Sequence, residues 1–119
     1  MRALILAAHG SRRKQSNGEV IELAEKLWKR CCKEYNIVQP AFLELAEPLI
    51  PEAIKQCVDK GASSIVLLPY FLNSGKHVID DIPSIINKAK KVYPDVNIKI
   101  APHAGASDLM IDLLISLAD

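Results

Sequence analysis

Apolar and polar positions along this chain change period several times. Residues 3–8, ALILAA, form a short unbroken apolar run, the pattern of a strand buried on both faces. From about Ser16 to Tyr35 the period lengthens: Val20, Leu23, Ala24, Leu27, Trp28 and Cys31 make one stripe, with Glu and Lys opposite. That spacing predicts a long amphipathic helix, with Ser16 or Asn17 as its cap and Glu19 in its first turn. IVQPAFLEL at 37–45 predicts a second strand, and Pro40 within it points to a sheet edge. A second helix is expected from Pro48 to about Lys60, with Leu49, Ala53, Ile54, Cys57 and Val58 inward and Gly61 ending it.

SSIVLLPYFL at 63–72 predicts the most buried strand. A third helix follows Asp80 and Asp81, with Pro83 early in it and Ile85, Ile86, Ala89 and Val92 inward. NIKIAP at 97–102 is a fourth strand and DLMIDLLISLA at 108–118 a last helix. Strand and helix thus alternate four times with short joins. The expected fold is α/β, a three-layer sandwich around a four-stranded parallel sheet, in one domain spanning residues 1–119.

Ligands of such sheets bind beyond the carboxyl ends of the strands, near a topological switch point. His9 follows the first strand, Glu44 ends the second, His77 lies beyond the third and His103 follows the fourth. All three histidines of the chain therefore fall on the ligand-binding edge. Imidazole titrates near neutral pH and ligates borderline divalent metals, so paired histidines suit proton transfer or metal delivery. So few donors would hold a metal weakly, which fits an ion in transit better than a structural one. Gly10 and Ser11, then Asn73, Ser74 and Gly75, remove bulk beside these histidines.

Several classes drop out. A net charge of +1 and six aromatic residues give no case for nucleic acid. Three cysteines without a C-x-x-C spacing are expected to be reduced thiols, and no zinc-ligand spacing is present. No apolar run approaches the roughly 18 to 20 residues of a membrane span. MRALILAAHGS lacks a small-residue cleavage site after its apolar run, so a cytoplasmic protein is expected. Neither a dinucleotide glycine fingerprint nor a P-loop follows the first strand. A histidine-phosphatase reading of HGS fails because Ala8 stands where the arginine clamp belongs.

HGSR at 9–12, AFLELAEP at 41–48 and LPYFLNSGKHVIDDIP at 68–83 together resemble the short CbiX family. These are class II chelatases that insert a divalent metal into sirohydrochlorin. The resemblance implies a chelatase fold equal to one half of the bilobal members, and hence a homodimer. It implies that His9 is the proton acceptor and a metal contact, and that His77 is the second metal contact. The same resemblance implies that Phe42, Glu44 and Leu45 fall on the substrate-facing edge of the second strand, and Leu72, Asn73, Ser74, Gly75 and Lys76 on the loop that contacts the tetrapyrrole.

Chemistry agrees with that assignment. Metallation removes two pyrrole protons, which a neutral imidazole can accept while holding the ion beside the ring. Glu44 could relay protons or offer an oxygen. Arg12, Arg13, Lys14 and Lys76 would meet the carboxylates of the macrocycle. His103, in PHAG where relatives differ, is left outside the site. Cobalt, nickel and iron all suit nitrogen donors, with cobalt and nickel ahead by resemblance, and the metal is a substrate rather than a tightly bound cofactor. The competing reading is a non-catalytic tetrapyrrole or metal carrier.

Overall fold

Four strands and four helices alternate in a computed structural model that describes residues 1–118, of His77 the backbone only. In chain order they are β1 (Arg2–Ala8), α1 (Lys14–Cys31), β2 (Ile37–Phe42), α2 (Ile50–Asp59), β3 (Ser64–Pro69), α3 (Ile82–Val92), β4 (Asn97–Ile100) and α4 (Leu109–Ala118). A π-helical turn, His77–Asp81, precedes α3, and a 3-10 turn, Ala104–Ala106, precedes α4. Among the described residues no helix is long and apolar enough to cross a membrane.

The sheet is wholly parallel, in the order β2-β1-β3-β4. β2 is an edge, where Pro40 can sit without costing an interior hydrogen bond. The chain steps from β1 outward to β2, then returns past β1 to β3. The switch point therefore lies between β1 and β3.

Strand parity divides the core. Ala3, Ile5 and Ala7 of β1, Ala41 of β2, Ile65 and Leu67 of β3 and Ile98 of β4 join Ile50, Ala53, Ile54 and Cys57 of α2 and Ile82, Ile86 and Ala89 of α3 in one buried cluster. Leu4 and Leu6 point the other way, toward α1, which packs on β2 and β1. On that second face Val66 and Leu68 of β3 are only half buried, and Lys99 of β4 is exposed. Among the described residues nothing comparable to α1 covers this half of the sheet.

Several expectations shift. α1 begins at Lys14, two residues early, with neither Ser16 nor Asn17 as its cap and no acidic residue in its first turn. Pro48 lies outside α2, because its carbonyl accepts the Phe42 N–H at 2.9 Å and so still belongs to the end of β2. Pro51 takes the early helical position instead. Gly61, at φ +101°, ends α2 as expected. Trp28 is exposed rather than inward, since it laps over the outer rim of β2, where no further strand exists to cover it. Val92 is also exposed, in the last turn of α3. α4 forms where the last helix is expected, and none of its residues is buried.

Candidate functional site

Main-chain hydrogen bonds carry the sheet past the formal ends of its strands. The Leu43 N–H donates to the Ala8 carbonyl at 3.0 Å and the Glu44 N–H to the His9 carbonyl at 3.1 Å. His9 and Glu44 thus leave adjacent strands in register, and side chains in that relation reach each other. His9 Nε2 and Glu44 Oε1 lie 3.1 Å apart, with the two side chains 45% and 56% exposed. A carboxylate accepting from Nε2–H fixes the ring's tautomer and orientation while the site stays open to ligand.

Two glycines let the loops close on one another. Gly10 has φ +95°, and a β-carbon there would overlap the Glu44 carbonyl oxygen. No other residue type tolerates both that backbone and that neighbour. Gly105 does the same for the loops after β3 and β4: its N–H donates to the Phe71 carbonyl at 2.9 Å, and a β-carbon would overlap the Leu72 carbonyl.

Asn17 serves the site rather than the helix end. Its Nδ2 donates to the Ser11 carbonyl at 2.8 Å and its Oδ1 accepts from the Ser11 N–H at 2.9 Å. The Ser11 hydroxyl in turn accepts from the Arg13 N–H at 3.0 Å. A side chain inside α1 therefore pins the segment that carries His9, Gly10 and Ser11. This was missed from the sequence, where an Asn near a helix start signals a cap; no local signal tells a cap from a clamp.

The third loop leaves β3 beside β1, where the Tyr70 N–H donates to the Ala7 carbonyl at 2.7 Å. Leu72, Asn73, Ser74, Gly75 and Lys76 are all exposed along it. The Val78 and Ile79 N–H groups donate to the Gly75 carbonyl, which starts the π turn at His77. The side chain of His77 lies outside the described residues. Arg12 is exposed and Leu45 is 53% exposed, the latter at φ +65°. Phe42 is a correction: it is fully buried on the α1 face of the sheet and so is a packing residue, not part of the substrate-facing edge. His103 is half buried ahead of the 3-10 turn, where its carbonyl accepts from Ala106. Among the described residues no three metal-ligating side chains gather. A cavity of about 560 Å³ beside Trp28 and Lys60 sits at the far end of the strands and has no part in this chemistry.

Fold and site together define an α/β protein with a histidine–carboxylate pair on an open strand-end shelf, next to the switch point of a parallel sheet. The CbiX family model matches residues 3–119, and the chain belongs to that family. It is 39% identical over 111 residues to a chloroplastic sirohydrochlorin ferrochelatase of Arabidopsis thaliana, covering 93% of this chain and 48% of that protein. It is 30% identical over 142 residues to a sirohydrochlorin cobaltochelatase of Methanocaldococcus jannaschii, covering 99% of this chain and 98% of that one. The crystal structure of the sirohydrochlorin chelatase SirB from Bacillus subtilis subspecies spizizenii in complex with cobalt superposes with a TM-score of 0.75 at 28% identity, over 97% of this chain and 48% of that chain. The chain thus spans about half the length of the Arabidopsis and Bacillus proteins and nearly all of the Methanocaldococcus one.

Proposed function

We propose that this protein is an enzyme that inserts a divalent metal ion into sirohydrochlorin. The observation that carries the reading is the His9–Glu44 pair, held 3.1 Å apart on adjacent strand ends and half open to solvent. A flat macrocycle laid across that shelf presents its pyrrole N–H groups to the imidazole. His9 accepts a proton and Glu44, hydrogen-bonded to the same ring, orients it and takes the proton onward. His77, at the start of the π turn, is the second contact for the incoming ion. Arg12 and Lys76, both exposed, would hold the peripheral carboxylates.

Metal is a substrate in this scheme, and no resident cofactor is invoked. Cobalt is put first because the relative matched over 98% of its own length is named a cobaltochelatase. Nickel shares the same donor preference, and iron is the third candidate. A homodimer in the cytoplasm is part of the proposal. The homodimer is supported by relatives about twice this chain's length, and the location by three free cysteines.

An anaerobic absorbance time course with sirohydrochlorin and Co²⁺, Ni²⁺ or Fe²⁺ tests the reading. The protein is present at a small fraction of the macrocycle, with His9→Ala and His77→Ala alongside. Many metallated rings per chain, abolished in both variants, are expected. One ring per site at most would identify a carrier and end the enzyme reading.

A further inference from the structure

His9 takes its carboxylate from the neighbouring strand, and a second carboxylate stands one turn from His77. The π turn His77–Asp81 opens where the Val78 and Ile79 N–H groups donate to the Gly75 carbonyl at 3.1 and 3.0 Å, and it runs directly into α3. A single π turn set against an α-helix is uncommon and is found frequently at functional sites. Its wider winding decides which residues share a face. Residues four apart stay nearly one above the other, while residues three apart swing away. Val78 and Ile82 show it: four apart, they are half buried and fully buried against the body of the fold. His77 and Asp81 form the next line around the same turn.

Asp81 differs from its neighbour Asp80. Both bring negative charge to the N-terminal end of α3, where a helix favours it. Asp80 is exposed, whereas Asp81 is half buried beside the fully buried Ile82. Asp81 also stands at the capping position of α3, yet its main chain is helical, at φ −71° and ψ −46°, and its side chain makes no cap hydrogen bond. A capping aspartate has extended main chain and accepts from the first turn of its own helix. Partial burial costs a carboxylate solvation, and the cap that ordinarily offsets that cost is not made.

We propose that Asp81 is the positioning residue of His77: its carboxylate accepts a hydrogen bond from one ring nitrogen of His77 and leaves the other nitrogen to face the incoming ion. The inference rests on the role given to His77 above and deepens it. A ligating imidazole held in this way keeps one tautomer and one orientation, and the carboxylate raises its basicity, so the ion meets a lone pair already aimed at it. The shelf then carries two histidine–carboxylate pairs built by different routes. Glu44 reaches His9 across adjacent strand ends at 3.1 Å, and Asp81 reaches His77 along a single turn. Glu44 serves the ring that takes the proton and Asp81 the ring that receives the metal, so loss of one does not reproduce loss of the other.

Steady-state metallation, with Co²⁺ varied at fixed sirohydrochlorin and then the reverse, tests this. Asp81→Ala should raise the KM for Co²⁺ about 10- to 100-fold and leave the KM for sirohydrochlorin and the thermal midpoint close to wild type. Asp81→Asn, which keeps an acceptor and drops the charge, should recover part of that loss. Asp80→Asn, which removes the same charge from the same helix end, should leave the KM for Co²⁺ unchanged. Long-range ¹H–¹⁵N NMR at about pH 8, where imidazole is neutral, reads the ring without turnover. The His77 signals, assigned by their loss in His77→Ala, should show one tautomer in the wild type and a mixture in Asp81→Ala. An unchanged KM for Co²⁺ in Asp81→Ala, an equal effect of Asp80→Asn, or a His77 tautomer indifferent to Asp81 each overturns the proposal. Should Asp81→Ala not fold, Asp81→Asn carries the test, and a wild-type KM for Co²⁺ in that variant overturns it. Any of these with His77→Ala inactive leaves the proposed function standing, whereas full turnover by His77→Ala removes the role of His77 and this inference with it.

Discussion

The α-carbon of Gly10 faces the main-chain carbonyl of Glu44 so closely that a side chain of any size would displace it. That contact, together with the hydrogen bond from Glu44 N–H to the His9 carbonyl, sets the spacing of the two functional side chains. Gly10→Ala should therefore separate the pair, destabilise the fold by about 1–3 kcal/mol through its positive φ and overlap, and cut turnover at least tenfold. Gly18, inside α1 with open space where a β-carbon would go, is the control. Gly18→Ala should raise stability by about 0.5–1 kcal/mol and leave turnover unchanged. Urea unfolding beside the metallation assay checks both.

Asn17 couples α1 to the loop after β1 through two hydrogen bonds to Ser11. Asn17→Ala loses roughly 1–2 kcal/mol of hydrogen bonding and regains part of it as helix propensity. The thermal midpoint should move by only a few degrees while kcat/KM falls about tenfold. Asn17→Asp keeps the acceptor for the Ser11 N–H but sets a carboxylate oxygen against the Ser11 carbonyl, so it should not restore activity. Parallel losses of stability and activity would reduce Asn17 to a packing role.

Glu44 tests the pair from its other side. Both partners are about half exposed, and a pair of that kind contributes about 0–1 kcal/mol to stability. Glu44→Gln should melt within a degree or two of the wild type and turn over 10- to 100-fold more slowly, as loss of a proton-handling group does. A variant with full turnover would remove Glu44 from the mechanism and leave His9 to act without it.

How far the sequence revealed all this depended on whether each feature was local. The βα alternation, the edge position of Pro40 and the stop at Gly61 were legible because each expresses a backbone rule acting within a few residues. The placement of His9, Glu44 and His77 after their strands followed from topology. Asn17 was misread because a cap and a clamp use the same atoms and differ only in which backbone they meet. The π turn was hidden because Asp80 and Asp81 look like an ordinary helix start. Trp28 and Val92 were misplaced because period tells which residues share a face, not what lies opposite that face; Phe42 was assigned by resemblance to the substrate edge, and its burial removes it from there.

Burial pushes the Cys57 thiol from 9.0 up to about 11. The folded chain therefore keeps this proton at pH values where the unfolded chain has lost it. Its contribution to stability is complete below pH 9 and drains away as the pH climbs toward 11, by on the order of 2 kcal/mol. Urea midpoints from pH 8 to 10.5 should fall more steeply for the wild type than for Cys57→Ala. At pH 8 a thiol reagent should modify exposed Cys32 first and Cys57 only after unfolding.

Both rims of the sheet are poor templates for further strands. β2 offers an incoming chain a proline where a donor is needed, and β4 is four residues long with a lysine among them. Growth of stacked β-structure is thereby blocked at either side, even in a chain that leaves a strip of leucine and isoleucine uncovered. The longest run of exposed apolar side chains lies on a helix and not on a strand edge, so crowding should drive these molecules into small closed assemblies rather than fibres.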